Sequence, residues 1–419
     1  MNAKGRECGR SASSIAFMLS KSPSTARHPA WEVFVVFLRL GLTSFGGPVA
    51  HLGYFRNEFV SRRAWLTELA YADLVALCQF LPGPASSQVG MAIGLLRGGY
   101  MGAVAAWLGF TLPSAVLLSL FGLGLAQGAD VVPAGVLHGL KLVAVAVVAQ
   151  AVWGMARLFC RQAWQRALAV LAAVVLLLQP AVGMQLAVLV VAGLLGLWLP
   201  GTPKAGRHDE TIYPVKTRTG MALLLLFLIL LLGLPWAAQV WPQATLEVFS
   251  VFYRVGALVF GGGHVVLPLL QAEVVPRGWV SLDAFMAGYG AAQAVPGPLF
   301  TFAAFLGAAL PGPLGGVSGA LLALVAIFLP SFLLVAGALP LWEQLRQNPW
   351  AQSALAGINA AVVGLLLTAL IQPVASSALT NLADLAVVLL ALLALMRWRQ
   401  PPWAVVLGCG VAGWLLGLL

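Results

Sequence analysis

Two arginines stand inside strongly apolar sequence, and each leads into helix-breaking residues. Arg39 lies in FLRLGLTSFGG and Arg254 in FYRVGALVFGG. The match continues: Gly41 with Gly256, Gly46-Gly47 with Gly261-Gly262, and Glu58 with Glu273, all 215 residues apart. After a one-residue gap, Trp65 matches Trp279, Gln79 matches Gln293 and Pro82-Gly83-Pro84 matches Pro296-Gly297-Pro298, now 214 apart. An arginine within a membrane span costs several kcal/mol unless it faces the protein interior or a water cavity. Its forked, permanent charge suits bidentate binding of a tetrahedral oxyanion. The plain alternative is snorkelling to an interface, or pairing with Glu58 and Glu273.

The breaks carry chemistry of their own. Proline lacks an N–H and glycine exposes backbone, so both interrupt the helical ladder. In lipid such breaks are tolerated only where protein buries them or where they line a cavity. Each one also creates a half-helix N-terminus, where free N–H groups and the dipole favour an anion. Pro84-Ala85-Ser86-Ser87-Gln88 has this form, with proline at a helix start and two hydroxyls following. Pro298 precedes Thr301 in the same way. An ordinary proline kink is the plain reading of either break.

Other candidates are less symmetric. Lys141 sits in an apolar run, and its counterpart is Asn359. It adds positive charge to one side of the site, or it snorkels. Asp73, whose counterpart is Ala287, joins Glu58 and Glu273 as a group that could couple transport to protons. An ion pair near the interface is the alternative for all three. His51 and His264 are not strict counterparts, and each reads better as an interfacial hydrogen-bonding residue than as a ligand.

The elements that position these residues are membrane helices. The chain has 419 residues, 61% hydrophobic and 9% charged, against about 25% charged in soluble proteins. Mean hydropathy is +0.94. Apolar runs near the length of a membrane span recur throughout, which predicts an all-α, polytopic membrane protein. They fall at 31–51, 69–95, 100–127, 131–157, 166–179 and 182–199, then 220–239, then 246–268, 282–310, 313–340, 352–373, 382–396 and 402–419. The organisation is a cytoplasmic tail at 1–30, a first repeat at 31–200, a polar linker with a connector helix at 201–245, and a second repeat at 246–419. Thirteen crossings would make the two repeats inverted. If 69–95 and 282–310 re-enter instead of spanning, the parity must be counted again.

The net charge is +10. The basic residues concentrate in the tail, the linker and alternate loops, while the opposite loops hold only Arg56, Arg62 and Arg63. This bias places the N-terminus inside and the C-terminus outside. No basic domain exists outside the apolar runs, so nucleic acid is not an expected partner. The four cysteines form no CxxC pair and the five histidines no HxxxH pair, so no metal or cofactor is indicated. There is no Walker motif. A membrane-embedded enzyme acting on lipid phosphate would need a clustered Ser/His or His/Asp set, and none occurs at a consistent spacing.

At these motifs the sequence resembles the chromate ion transporter family. The resemblance rests on FGGP at Phe45–Pro48, QFLPGPASSQ at Gln79–Gln88, FGGGHVVLPLL at Phe260–Leu270 and QAVPGP at Gln293–Pro298. It covers both halves and suits the family's long, two-domain members. It implies export of chromate across the bacterial inner membrane and chromate resistance. Sulfate has a similar charge and shape, so a sulfate or other oxyanion carrier is the alternative. The site is then expected at Arg39, Arg254, Lys141 and the four breaks, including Ser86, Ser87, Gln88 and Gln293. Uniport driven by membrane potential and proton antiport both remain open.

Overall fold

The computed structural model describes residues 29–126, 133–179, 181–198, 215–260 and 263–417. The tail, most of the polar linker, and Gly261-Gly262 lie outside the described residues. The protein is an all-α polytopic membrane protein, and the described residues contain no strand. Helices at Ala134–Phe159, Thr217–Val240, Gly316–Leu341 and Pro349–Ala378 are long and apolar enough to cross a membrane, as is Ala85–Leu125 by total length, although it folds back within.

The first apolar segment is not one helix. Helix α1 runs Pro29–Thr43, and α2 runs Gly47–Arg56 with a π-helical turn at Asn57–Arg62. Between them Gly46 and Gly47 hold φ of 101° and 77°, a backbone no right-handed helix contains. The second segment breaks likewise into α3, Glu68–Phe80, and α4, which begins at Ala85. Thr67 caps α3 by accepting from the Ala70 amide. Helix α4 extends to Ala126 but turns back at Gly98-Gly99, where the φ/ψ values are non-helical. At 15 and 13 residues, α1 and α3 are about 20 Å long, short of a hydrocarbon core of about 30 Å. The apolar segments read from sequence are therefore partly half-helices.

After the hairpin come α5, Ala134–Phe159, α6, Ala163–Leu178, and α7, Val182–Trp198. The connector helix α8, Thr217–Val240, is tied to the second half where the Tyr253 hydroxyl donates to the Phe227 carbonyl. The second half repeats the order. Helix α9, Ala244–Leu258, matches α1, and α10, Val266–Val274, follows its break. Helix α11, Leu282–Ala292, is capped by Ser281, the counterpart of Thr67. A 3₁₀ turn at Leu299–Thr301 leads into α12, Phe302–Ala308, which hairpins into α13, Gly316–Ala338. A short α14, Trp342–Gln347, precedes α15, Pro349–Ala369, α16, Leu382–Met396, and α17, Pro402–Leu416.

The halves interlock. Helices α6 and α7 of the first half pack on α15 of the second, and α16 and α17 of the second pack on α5 of the first. Small residues permit both contacts. A Cβ on Gly357 would meet the Ala192 carbonyl at 2.1 Å, and one on Gly139 would meet the Cys409 carbonyl at 2.1 Å. Close backbone approach of this kind is how helices associate in lipid, where burial of apolar surface gives no drive.

Candidate anion-binding site

The four breaks meet. The Gly83 amide donates to the Val259 carbonyl at 2.6 Å, and the Gly297 amide donates to the Ser44 carbonyl at 3.0 Å. Ser44 and Val259 are equivalent positions, as are Gly83 and Gly297, so each Pro-Gly-Pro break is bonded to the opposite repeat's first break. Pairing of i with j and of j with i is the mark of a two-fold relation. These bonds also satisfy backbone groups that the breaks free, as burial requires.

Side chains close around each pair. A Cβ on Gly83 would lie 2.7 Å from Ser331 Oγ, and one on Gly297 would lie 2.7 Å from Ser114 Oγ. Ser114 and Ser331 follow Pro113 and Pro330 inside α4 and α13. Gln88 reaches back to brace its own break, with Nε2 donating to the Pro82 carbonyl at 2.6 Å. Thr301 spends its hydroxyl on the Pro298 carbonyl at 2.6 Å. His51 Nδ1 lies 3.4 Å from Ser86 Oγ, and its ring sits edge-on to Phe110. His264 Nδ1 meets the Tyr289 hydroxyl at 2.9 Å, and its Nε2 lies 4.0 Å from where a Cβ on Gly47 would sit.

The junction contains buried polar atoms without hydrogen-bond partners among the described residues. They include Ser44 Oγ, His51 Nε2, Ser87 Oγ, Gln88 Oε1 and Thr111 Oγ1, while Gln293 lies in hydrogen-bond contact with Tyr289. Ser44, His51, Ser87, Gln88 and Thr111 are each 3% exposed or less. An unpaired buried polar group costs about 1–3 kcal/mol, so these atoms are the candidates for contact with a polar occupant.

The charged candidates are elsewhere. Glu58 pairs with Arg62 at 3.0 Å and Arg63 at 2.6 Å, and Arg63 reaches Glu32 at 3.6 Å. Glu273 pairs with Arg254 and Arg277, both at 2.5 Å, and Arg277 reaches Glu247 at 3.3 Å. Glu32 and Glu247 are counterparts in the first turns of α1 and α9. The carboxylates of both networks thus lie toward the helix ends opposite the breaks. Glu58 lies beyond its apolar segment. Burial alone would raise its pKa, but the bonds from Arg63 and Arg62 hold it below the usual carboxylate range.

Arg254 is therefore turned away from the junction, toward Glu273. Arg39 is exposed, and its guanidinium has no hydrogen-bond or ion-pair partner among the described residues. It lies two positions from Gly41, which packs on the Gly109 and Phe110 backbone, so it projects from the other side of α1. Lys141 is also outside the junction, bonded at 3.0 Å to Asp283, whose side chain is 77% exposed. Asp73 is half-buried on α3. The structure therefore brings together Gly46, Gly47, Pro82, Gly83, Pro84, Ser86, Ser87, Gln88, Gln293, Pro296, Gly297 and Pro298, while Arg39, Arg254, Lys141, Glu58 and Glu273 lie apart.

Sequence reasoning missed Ser44, Thr111 and Ser114, and undervalued His51. One signal was present for Ser44: a serine beside a glycine break, where the other repeat has valine.

Residues 31–197 and 246–414 each match the chromate transporter family model. A chromate transport protein of Pseudomonas aeruginosa is 26% identical over 415 residues, covering 92% of each chain. One from Cupriavidus metallidurans is 26% identical over 370 residues, covering 86% of each. An uncharacterized transporter of Bacillus subtilis, YwrA, is 30% identical over 176 residues, which is 41% of this chain but 97% of its own. No solved structure matches the chain.

Proposed function

The chain belongs to the chromate transporter family, and we propose that it is a secondary carrier that exports chromate across the bacterial inner membrane and so confers resistance. The observation that carries this reading is the junction itself. Four helix breaks meet through reciprocal hydrogen bonds, with unpartnered polar atoms buried around them. Such a place offers helix N-termini and neutral donors to an oxyanion within apolar surroundings. The relatives named as chromate transport proteins give the substrate. The copies run in opposite directions through the bilayer, with the N-terminus cytoplasmic, in keeping with the bias of loop arginines and lysines.

Arg39 and Arg254 stand one turn before the ends of α1 and α9, about 6 Å along the helix. They supply positive potential to the approach rather than contacts in the seat. Export needs no ATP. A potential of about 100 mV, negative inside, is worth about 2.3 kcal/mol per charge. Expelling a dianion then gains about 4.6 kcal/mol, enough for a gradient of about a thousandfold or more.

The test is uptake of radiolabelled chromate into everted vesicles with an imposed potential. Accumulation driven by the potential, and resistant to excess sulfate, is expected. Accumulation of sulfate in place of chromate would overturn the substrate. Flux that neither saturates nor responds to potential would overturn the carrier.

A further inference from the structure

We infer that the carrier holds a single oxyanion, to one side of its duplication, in a seat of neutral donors contributed by the first repeat: Ser44, His51, Ser86, Ser87 and Thr111. The inference rests on the proposed reading of the junction as the transport site, and it says where in the junction the ion sits.

The two sides of the junction share backbone geometry but not chemistry. Ser44, His51, Ser86 and Thr111 have Val259, Val266, Phe300 and Phe328 as counterparts in the second repeat. All four counterparts are 1% exposed or less. Gln88 is matched by Phe302, whose ring packs edge-on to Phe285 at 5.1 Å. Ser87 is matched by Thr301, and that hydroxyl is already committed to the Pro298 carbonyl. On the second side, aromatic and aliphatic side chains fill the space. A dianion there would lose its hydration, and the polar groups present, His264, Tyr289 and Gln293, already face one another.

On the first side the hydroxyls of Ser44, Ser87 and Thr111 are buried and unused. Ser44 and the residue beside Thr111 both lie against His51: Phe110 packs on its ring at 5.2 Å, and the Ser44 backbone lies beside it. Ser114, one turn beyond Phe110, abuts Gly297, whose amide donates to Ser44. Ser86 and Ser87 lie in the first turn of α4, where backbone N–H groups are free. If the Ser86 hydroxyl donates to His51 Nδ1, the ring carries its proton on Nε2, the atom that lacks a partner. Imidazole, hydroxyls and amides are then the donors that the first side offers, with no fixed charge among them. A seat of this kind favours an ion that arrives already attracted by outlying arginines, and it releases that ion readily.

The experiment is equilibrium binding of chromate, and separately of sulfate, to the purified full-length protein in detergent. Thermal unfolding is followed with and without the anion. One ion per chain is expected. Ser87→Ala, which removes only a hydroxyl, and His51→Gln should each weaken binding about tenfold or more and shrink the anion-induced rise in unfolding temperature. Thr301→Val and Phe300→Leu should leave affinity within about twofold. Two ions per chain, or equal losses from Ser87→Ala and Thr301→Val, would overturn the one-sided seat. If sulfate but not chromate binds with this same pattern, the seat stands and the chromate reading falls. Should His51→Gln fail to fold, Ser87→Ala decides.

Discussion

Gly83 and Val259 lie in opposite repeats and are joined by a backbone hydrogen bond of 2.6 Å, with Gly297 and Ser44 joined reciprocally at 3.0 Å. Both glycines hold positive φ, 122° at Gly83 and 109° at Gly297. Side chains at this φ are strained by about 1–3 kcal/mol, and here an added Cβ would also overlap a serine Oγ at 2.7 Å. Gly83→Ala and Gly297→Ala are each expected to lower the unfolding temperature by several degrees and to abolish chromate uptake. The double variant should cost less than the sum, because both substitutions disturb one junction. Additive losses in a thermal-unfolding cycle would show the two bonds to be independent.

Glu273 is 2% exposed and its two arginines 23% and 33%, while Glu58 is 11% exposed and its two arginines 54% and 30%, so the Glu58 network lies nearer solvent. Removing one partner of a buried ion pair costs about 3–5 kcal/mol, and a solvated pair about 0–1 kcal/mol. Glu273→Gln should therefore destabilise the protein clearly more than Glu58→Gln, as read from detergent unfolding curves at neutral pH. The depressed pKa of Glu58 fixes a direction as well. Its stabilisation is present above the unfolded carboxylate value of about 4.3, and it is lost as pH falls through the folded value. Glu58→Gln should therefore flatten the acid limb of the stability profile. An unchanged limb would remove Glu58 from the acid transition.

Lys141 separates the sequence view of the site from the structural one. The sequence shows an intramembrane lysine and leaves its partner unnamed, because Asp283 is distant in the chain and joined to Lys141 only by packing of α5 against α11. A pair with so exposed a carboxylate is worth about 0–1 kcal/mol. Lys141→Ala should leave chromate uptake within about twofold and the unfolding temperature nearly unchanged. A tenfold loss of uptake would return Lys141 to the transport path.

What could be read from the chain was whatever the backbone alone decides. Gly46-Gly47 and Pro82-Gly83-Pro84 break helices regardless of context, so the breaks, their pairing and the all-α class were legible. Side-chain direction was not. Arg39 and Arg254 look alike in sequence, yet one is exposed and the other bonded to Glu273, because that depends on which helix covers each face. His51 looked like an interfacial group, since nothing local says that Phe110 and Ser86 will enclose it. Segments such as 31–51 were long enough to span, but positive φ at Gly46 and Gly47 divides them.

Arg39 tests whether outlying charge serves transport. It is exposed and has no partner among the described residues, so Arg39→Ala should leave folding intact. If it draws the anion toward the seat, the variant should raise KM severalfold with little change in maximal rate. The dependence of uptake on ionic strength should also weaken, since long-range attraction is screened by salt. Arg39→Lys keeps the charge and should restore most of the loss. A fall in maximal rate alone, not rescued by lysine, would instead place the guanidinium in direct contact with the ion.

The interlocking of the halves gives the last prediction. Helices α6 and α7 find their partner, α15, in the second half, and α16 and α17 find theirs, α5, in the first. Neither half can complete its own helix packing, and each contributes one side of both break-to-break hydrogen bonds. Cut between residues 205 and 206, the chain should yield two fragments that co-purify when coexpressed and together transport chromate. Each fragment alone should be degraded or aggregate, having unpaired breaks in lipid. Gly357→Val puts bulk 2.1 Å from the Ala192 carbonyl and should weaken co-purification, whereas valine at Gly233, which has open space around it, should not. Stable, separately folded fragments would show that the exchange of helices is dispensable, and with it the argument that the junction is built by both repeats together.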